Sequence, residues 1–437
     1  MISFLEALRF WLKLGFISFG GPAGQIAIMH QELVERRRWI SENRFLHALN
    51  YCMLLPGPEA QQLATYIGWL MHRTWGGIAA GGLFVLPSVF ILIALSWIYL
   101  AYGNLPLVAG VFYGIKPAVV AIVLAAAHRI GSRGLKNAWL WTIAAAAFIA
   151  IFALQVPFPA IILAAGIAGY LGGRYAPGKF SSSAHSPTLP GHGTALIDDN
   201  TPTPAHARFS WAKFWGWAGG GIALWGAAIG LLAAAFGWDG TLTQMGWFFT
   251  KAALLTFGGA YAVLPYVNQG AVEYYGWLTA LQMIDGLALG ETTPGPLIMV
   301  VAFVGFVGAW THAIFGENLV AAGIAGALVA TFFTFLPSFV FIFMGAPFIE
   351  TTHGNLKFTA PLAAITAAVV GVVLNLALFF AYHVLWPQGP ADGFDWPSAV
   401  IGAGALLALF RYKAGVIPVV GGCAALGLAL TLARQFF

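Results

Sequence analysis

Two short motifs interrupt long apolar runs in the chain, and each motif occurs twice. Phe-Gly-Gly stands at 19–21 and 257–259, and Pro-Gly-Pro stands at 56–58 and 294–296. Glycine allows close backbone approach, whereas proline removes a hydrogen-bond donor and breaks a helix. The free N–H groups at the start of a broken helix favour anions. Four breaks predict an anion site near the membrane midplane, although a single motif would favour ordinary helix packing and kinking.

A lysine precedes each Phe-Gly-Gly motif at the same distance. The pattern Lys-x4-(Ser or Thr)-Phe-Gly-Gly joins Lys13 to Ser18 and Lys251 to Thr256. The lysine and the first glycine are about two helical turns apart, so the ammonium group can lie on the same face as the break. A lysine in a membrane segment marks a candidate site. The alternative is snorkelling to the interface, which suits Lys13 better than Lys251.

The predicted substrate-binding residues are these motifs, the lysines and the neighbouring hydroxyls. They are Lys13, Ser18, Gly20, Gly21, Pro56, Gly57, Lys251, Thr256, Gly258, Gly259, Thr293, Pro294 and Gly295. In this hypothesis the glycines expose backbone donors, the lysines supply charge and the hydroxyls donate hydrogen bonds. Three glutamines could also donate to an oxyanion or serve as core hydrogen-bond partners: Gln25, Gln61 and Gln62.

Three carboxylates lie close to the breaks and are candidates for binding a coupling proton or cation: Glu59, Asp285 and Glu291. Glu59 directly follows Pro-Gly-Pro, so capping a helix start explains it at least as well. His30, His47 and His72 do not form a metal-ligand spacing, and no metal or cofactor is predicted. No phosphate-binding Gly-x4-Gly-Lys-(Ser or Thr) loop occurs, so no ATP motor is expected in this chain.

Membrane helices must position these residues. The 437-residue chain is 60% hydrophobic and only 8% charged, whereas soluble proteins carry roughly 25% charged residues. This composition excludes a soluble enzyme, a disordered protein and a nucleic-acid binder. The sequence predicts an all-α polytopic integral membrane protein with about 9–13 membrane segments, since each span needs about 20 apolar residues.

The chain is built from two related halves. Shifting residues 13–58 by 238 positions gives 12 identities in 46 positions without a gap. The matches include both glycine motifs and Lys13 with Lys251. After an insertion, Leu86-Pro87-Ser88 matches Leu336-Pro337-Ser338. The predicted domains are an N-terminal repeat (1–175), a cytoplasmic linker (176–209) too polar to order itself, and a C-terminal repeat (210–437).

Matched loops of the two halves differ in charge. Arg36-Arg37-Arg38 follows Glu35, but Tyr274-Tyr275-Gly276 follows Glu273. By the positive-inside rule the matched loops lie on opposite sides of the membrane, which predicts an inverted repeat. The alternative is a parallel repeat with drift in loop charge.

The topology that keeps the basic loops inside combines four re-entrant segments with nine crossings. The re-entrant segments are 14–33, 45–72, 243–268 and 280–310, and the crossings are 76–102, 108–128, 138–155, 158–173, 211–237, 318–348, 360–385, 396–410 and 414–433.

At these residues the sequence resembles the chromate ion transporter family in its long, two-domain form. The resemblance is carried by Phe-Gly-Gly-Pro at 19–22, Pro-Gly-Pro-Glu-Ala at 56–60 and their counterparts at 257–260 and 294–296. It implies export of chromate from the bacterial cytoplasm and resistance to chromate, driven by the membrane potential or ion gradients. The second half departs from the first because Ala260 stands where the first half has Pro22.

The resulting hypothesis is a secondary transporter, not an enzyme, in the plasma membrane. Chromate is the expected substrate, with sulfate as an alternative substrate or competitor because the two anions share charge and shape. Two competing hypotheses are a passive anion channel and an intramembrane enzyme acting on a lipid phosphate. The protein is expected to be surrounded by membrane lipid. A homodimer is compatible with the sequence.

Overall fold

The computed structural model describes residues 2–19, 21–175, 195–199, 201–202, 204–351, 359–389, 391 and 393–436. These ranges fold into helices, as the sequence predicts, with a single isolated β-bridge. In the first half the α helices are α1 (Phe4–Ile17), α2 (Gly21–His30), α3 (Glu42–Cys52), α4 (Glu59–Tyr102), α5 (Pro106–Gly134), α6 (Ala138–Phe152) and α7 (Phe158–Tyr175). After the linker come α8 (Trp211–Phe236), α9 (Thr241–Leu255), α10 (Ala260–Asn268), α11 (Ala280–Thr292), α12 (Val300–Thr311), α13 (Leu319–Thr351), α14 (Thr359–Leu385), α15 (Trp396–Phe410) and α16 (Val416–Phe436).

The repeat extends to local backbone irregularities. A π-helical turn follows α2 at Gln31–Arg36, and another follows α10 at Gln269–Tyr274. The residues that end α1 and α9 have nearly the same torsion angles, with φ −82° and ψ 85° at Ser18 and φ −79° and ψ 87° at Thr256. Equivalent motifs therefore produce equivalent breaks in the two halves.

Each half contains a re-entrant hairpin that turns at Pro-Gly-Pro. In the first half α3 leads into the motif and the first part of α4 leads out, until the helix breaks at His72 and Arg73. In the second half α11 and α12 form the same hairpin, and residues 312–318 separate α12 from α13. These breaks fall where the predicted re-entrant segments 45–72 and 280–310 end.

Equivalent helices run antiparallel to each other. Along α4 and α13, which carry the two Leu-Pro-Ser motifs, Gly77 lies against Phe343 and Gly81 lies against Phe339. Residue numbers therefore rise along one helix as they fall along the other. The pair α5 and α14 behaves in the same way, with Gly131 against Val370 and Gly134 against Thr366. A parallel repeat would align these helices, so the halves form the predicted inverted repeat.

Six helices of the described chain are long and apolar enough to cross a membrane: those at 59–102, 106–134, 211–236, 319–350, 360–385 and 416–434. The helix at 211–236 has no counterpart in the first half and accounts for the inversion, because one extra crossing reverses everything that follows. The predicted crossings at 138–155 and 396–410 contain 15-residue helices, which rise only about 22 Å.

The last helices of each half pack against the other half. Gly169 and Gly173 on α7 lie against Ala360 on α14, and Gly114 on α5 lies against Gly427 on α16. Small residues at these contacts allow the helix backbones to approach closely. The two sequence repeats are therefore interlocked in space, although the chain divides cleanly between them.

The described part of the linker is ordered by the first half, contrary to the expectation that it has no fixed structure. Ile197 forms a parallel β-bridge with Ile40. The carboxylate of Asp199 accepts hydrogen bonds from Ser41 at 2.5 Å and Asn43 at 2.6 Å. These hydrogen bonds, first of all the one from Ser41, hold the pKa of Asp199 below its usual value despite some burial. Docking supplies the contacts that the linker composition alone cannot.

Candidate functional site

Two crossed backbone hydrogen bonds join the glycine motifs of the two halves. The N–H of Gly57 donates to the carbonyl of Thr256 at 2.7 Å, and the N–H of Gly295 donates to the carbonyl of Ser18 at 2.7 Å. Each Pro-Gly-Pro turn thus meets the helix break of the opposite half. We name these contacts the Thr256 junction and the Ser18 junction.

The junctions follow from the local sequence. Gly57 and Gly295 have φ of 126° and 99°, a left-handed region that favours glycine. The breaks after α1 and α9 release the carbonyls of Ser18 and Thr256 from their helices, because the chain turns away there. An unsatisfied backbone group at membrane depth costs several kcal/mol. Crossed pairing satisfies both the glycine donors and the freed acceptors.

The two Leu-Pro-Ser motifs complete the junctions, again from the opposite half. The hydroxyl of Ser88 on α4 donates to the carbonyl of Pro294. At the other junction, Ser338 on α13 accepts a hydrogen bond from Nε2 of Gln62 at 3.4 Å, and the same nitrogen donates to the carbonyl of Pro56 at 2.8 Å. The sequence marks Leu-Pro-Ser as a repeat, but Ser88 and Ser338 are not among the predicted site residues.

The side chains at the two junctions differ. At the Ser18 junction, Nε2 of Gln25 donates to the carbonyl of Gly295 at 2.5 Å, and Val263 occupies the equivalent position in the second half. The hydroxyl of Ser18 is fully buried and has no hydrogen-bond partner among the described residues. The hydroxyl of Thr256 instead donates to the carbonyl of Ala252 at 2.7 Å.

Glycines begin the short helices next to the junctions. Gly21 precedes the rest of α2 with φ 70°, and Gly258 and Gly259 precede α10 with φ 80° and 97°. Apart from the adjoining backbone, no described atom lies within 4 Å of where a side chain at Gly21 or Gly259 would begin. The first N–H groups of a helix have no partner within that helix. Gly20, which the sequence also predicts, lies outside the described residues.

The two predicted lysines do not contact the junctions. Lys13 is exposed on α1. Lys251 is half-buried on α9, and its Nζ lies 5.8 Å from the ring centre of Trp247, one turn before the lysine and away from the break. The predicted Thr293 is buried beside Pro294, and its hydroxyl donates to the carbonyl of Gly290 at 3.2 Å.

Two of the three predicted acids have partners. Glu291 is buried and accepts a hydrogen bond from the hydroxyl of Tyr261. Asp285 accepts a hydrogen bond from Tyr99 at 2.8 Å and lies 3.5 Å from Nζ of Lys116. Glu59 begins α4, where an acid is favourable next to the free N–H groups.

Charged contacts tie each hairpin to the other half. Lys116 on α5 pairs with Asp285 on α11, and Arg44 on α3 lies 3.6 Å from Glu350 on α13. Lys116 is not among the residues predicted from the sequence, although its position inside an apolar run is a signal of function. Within the ranges that the structure covers, no cluster of histidine, cysteine and acidic residues could hold a metal ion.

Interlocked inverted repeats, with broken helices that meet between them, are typical of membrane transport proteins. The family model for chromate transporters matches residues 5–170 and 243–428. The chain therefore belongs to the chromate transporter family, and it is a multi-pass protein of the plasma membrane. Both glycine motifs of each half lie within the matched ranges.

Curated relatives resemble nearly the whole chain. A chromate transport protein of Cupriavidus metallidurans is 29% identical over 428 residues, which cover 97% of this chain and 92% of the relative. A chromate transport protein of Pseudomonas aeruginosa is 33% identical over 375 residues, covering 85% of this chain and 80% of the relative. A probable chromate transport protein of Synechococcus elongatus is 27% identical, covering 94% and 90%. No solved structure gives a significant match.

Proposed function

We propose that this chain is a secondary transporter that exports chromate across the plasma membrane and thereby confers resistance to chromate. The names of its relatives support chromate as the substrate. The membrane potential supports the direction, because moving one charge across 100 mV is worth about 2.3 kcal/mol. A dianion leaving a negative cytoplasm gains this energy twice, so the potential alone favours export.

The crossed junctions are the observation that carries the proposal. The N–H groups of Gly57 and Gly295 face carbonyl oxygens of the opposite half. An oxyanion that enters between a hairpin and the opposite break replaces that carbonyl as the acceptor. A tetrahedral dianion offers four oxygens, so it can accept from a glycine N–H, from the hydroxyl of Ser18 and from the helix start after Gly21 together.

This exchange also gives a route to alternating access. Each junction contains one part from each half, so separating the halves on one side of the membrane opens one junction and leaves the other closed. The ion pairs Arg44–Glu350 and Lys116–Asp285 link hairpins to the opposite half, and we propose that they open in turn. Glu291 and Asp285 remain the proposed candidates for ion coupling, whereas Glu59 is proposed to stabilise the start of α4.

Lys13 and Lys251 enter the proposal as a source of attraction rather than as direct ligands. Both stand about one to two turns before a break. A half-buried cation such as Lys251 is screened less by salt than an exposed one. Their charges are proposed to raise the local concentration of the anion near the junctions.

Transport into inverted membrane vesicles tests the proposal. Vesicles containing the full chain should take up chromate when their lumen is positive, since the lumen corresponds to the outside of the cell. Uptake should fall when the potential is collapsed. Unlabelled sulfate and molybdate in competition show which tetrahedral anions the site accepts. Stronger competition by sulfate than by chromate would make sulfate the preferred substrate.

A second arm separates a transporter from a channel. Reconstituted protein should exchange chromate across liposome membranes faster when unlabelled chromate is present on the far side, because alternating access returns faster with substrate bound. A channel passes the anion without this acceleration. Absence of chromate uptake in both arms would overturn the proposed substrate.

A further inference from the structure

A cleft opens beside the break in α4, on the side of the molecule where the linker docks. It has a volume of about 560 Å³ and is lined by Phe4, Met71, His72, Arg73, Trp75 and His206. Neither the glycine junctions nor the ion pairs use these residues. The basic loops place this side at the cytoplasmic face.

The cleft is positively charged. Arg73 is exposed, and its guanidinium makes no ion pair or hydrogen bond with any described residue. Nζ of Lys213 lies 3.4 Å from the carbonyl of His206 and so stands at the edge of the cleft. Burial lowers the pKa of His206, and the charges of Arg73 and Lys213 lower it further. An anion here would meet two cations and a histidine without an acidic competitor in the lining.

Arg73 is held in a costly conformation. Its φ is 56° and its ψ is −156°, a region that residues other than glycine rarely adopt. His72 beside it is fixed by a contact of 3.0 Å between its Nε2 and the carbonyl of Ile2. Such strain persists only where the surroundings impose it, and it often marks a functional position.

An apolar surface continues from the cleft along α4. Trp75 is 74% exposed, and Ile78, Leu86 and Phe90 follow it as exposed apolar residues on one helical face. Gly82 on the same face has no described atom near its side-chain position. Exposed tryptophans at 211 and 215 begin α8 nearby in the chain after His206, as expected at a membrane interface.

We propose that this cleft binds the headgroup of an anionic phospholipid of the cytoplasmic leaflet, with its acyl chains along the exposed face of α4. Arg73 and Lys213 contact the phosphate, and Trp75 lies at the level of the headgroup. The apolar face continuing from the cleft distinguishes a lipid from a free phosphate ion. The bound lipid would stabilise the bend where the re-entrant hairpin joins the crossing part of α4.

Lipid retention by the purified full-length protein tests this site. Native mass spectrometry would count lipids retained from micelles containing either phosphatidylglycerol or phosphatidylcholine with the same acyl chains. We expect one phosphatidylglycerol to be retained in preference to phosphatidylcholine. Arg73→Gln should weaken this binding by about tenfold, as expected for loss of a charge-assisted hydrogen bond.

Two further variants keep the test decisive. Arg73→Gly removes the charge and accepts the positive φ, so it should fold and lose the lipid to the same degree. Arg133→Gln removes an exposed arginine at the end of α5, outside the cleft, and should retain the lipid. Equal retention of both lipids, undiminished binding by Arg73→Gln or Arg73→Gly, or an equal loss in Arg133→Gln would overturn the proposal. Displacement of the lipid by inorganic phosphate alone would also overturn it, in favour of a free-phosphate site.

Discussion

The Ser18 and Thr256 junctions have the same backbone but different side chains. Both pair a glycine N–H with a carbonyl of the opposite half at 2.7 Å. At the Thr256 junction the hydroxyl is engaged by its own helix, whereas at the Ser18 junction it is buried without a partner among the described residues. Duplication thus preserved the peptide geometry that closes the site, and divergence left one junction with an unused donor. We expect the Ser18 junction to contribute more to recognition of the anion.

Replacing a junction glycine should have the largest effect. In Gly295→Ala the new methyl group would overlap Ser88, and the positive φ disfavours any residue with a Cβ by about 1–2 kcal/mol. In Gly57→Ala it would meet Ser338 Oγ at 2.5 Å. Both variants should lose nearly all chromate transport in inverted vesicles. Gly216→Ala, near the start of α8 and with open space at its side-chain position, is the control and should transport normally. Transport by Gly295→Ala would show that the Ser18 junction is dispensable.

The hydroxyls give the sharpest contrast between the junctions. Ser18→Ala removes a group without a partner among the described residues. The free energy of unfolding should therefore stay within about 0.5 kcal/mol of that of the parent. Loss of a hydrogen bond to a charged ligand should raise KM for chromate about tenfold. Thr256→Val, which removes a hydroxyl bonded within its own helix, should change KM much less. Equal effects of the two substitutions on KM would refute the functional difference.

Lys13 and Lys251 occupy equivalent positions in the two halves but differ in burial. Lys251→Ala should slow chromate uptake several-fold at both low and high ionic strength, because the attraction of a half-buried cation for the anion is only weakly screened by salt. Lys13→Ala should have a smaller effect, since Lys13 is exposed and near the carboxylate of Glu32. Initial rates at two salt concentrations measure both effects. Unchanged uptake by Lys251→Ala would remove this lysine from the proposal.

The acids provide a pH-dependent test. Glu291 is buried with Tyr261 as its hydrogen-bond donor and with the charge of Arg129 acting on it, whereas Glu59 begins a helix. If Glu291 exchanges a proton during transport, Glu291→Gln should flatten the pH dependence of chromate uptake. Glu59→Gln should retain that dependence. A parent-like pH profile in Glu291→Gln would exclude it as the coupling residue.

The smallest expected effect concerns the linker, which contacts the first half through Asp199. Hydrogen bonds hold the folded pKa of Asp199 below its usual value, so the carboxylate stabilises docking above about pH 4. This contribution is lost as the pH falls through the folded pKa. Asp199→Ala should therefore be cleaved several-fold faster by protease within 176–209 at neutral pH. Asp199→Asn should be intermediate, and parent-like cleavage of Asp199→Ala would show that Asp199 does not hold the linker.

The sequence predicts the breaks well and their partners poorly. Phe-Gly-Gly and Pro-Gly-Pro interrupt helices for local reasons, so the ends of the re-entrant segments follow from glycine and proline chemistry. The contrasting charges of the loops at 36–38 and 274–276 also give the inversion. The crossing of the motifs was not predictable, because identical motifs offer the same donors and acceptors within and between halves. Only the fold decides that Gly57 meets Thr256.

Contacts between residues distant in sequence account for the other features that the sequence does not predict. Lys116 stands in an apolar run without an acidic neighbour, and it is the fold that brings Asp285 to it. The linker composition predicts disorder because it contains few apolar residues, yet Asp199 and Ile197 find partners on the first half. In both cases the stabilising group lies more than 150 residues away, beyond what local sequence patterns report.

The exchange of terminal helices between the halves, with α7 resting on α14 and α16 on α5, bears on how such a protein can be built. A polypeptide that carried one half alone would expose these helix contact surfaces. The N–H group of its Pro-Gly-Pro turn would also lack a carbonyl acceptor from an opposite half. Such a polypeptide would have to recruit a second copy inserted upside down in the same bilayer. Fusing the halves through one additional crossing secures that opposite insertion within a single gene product.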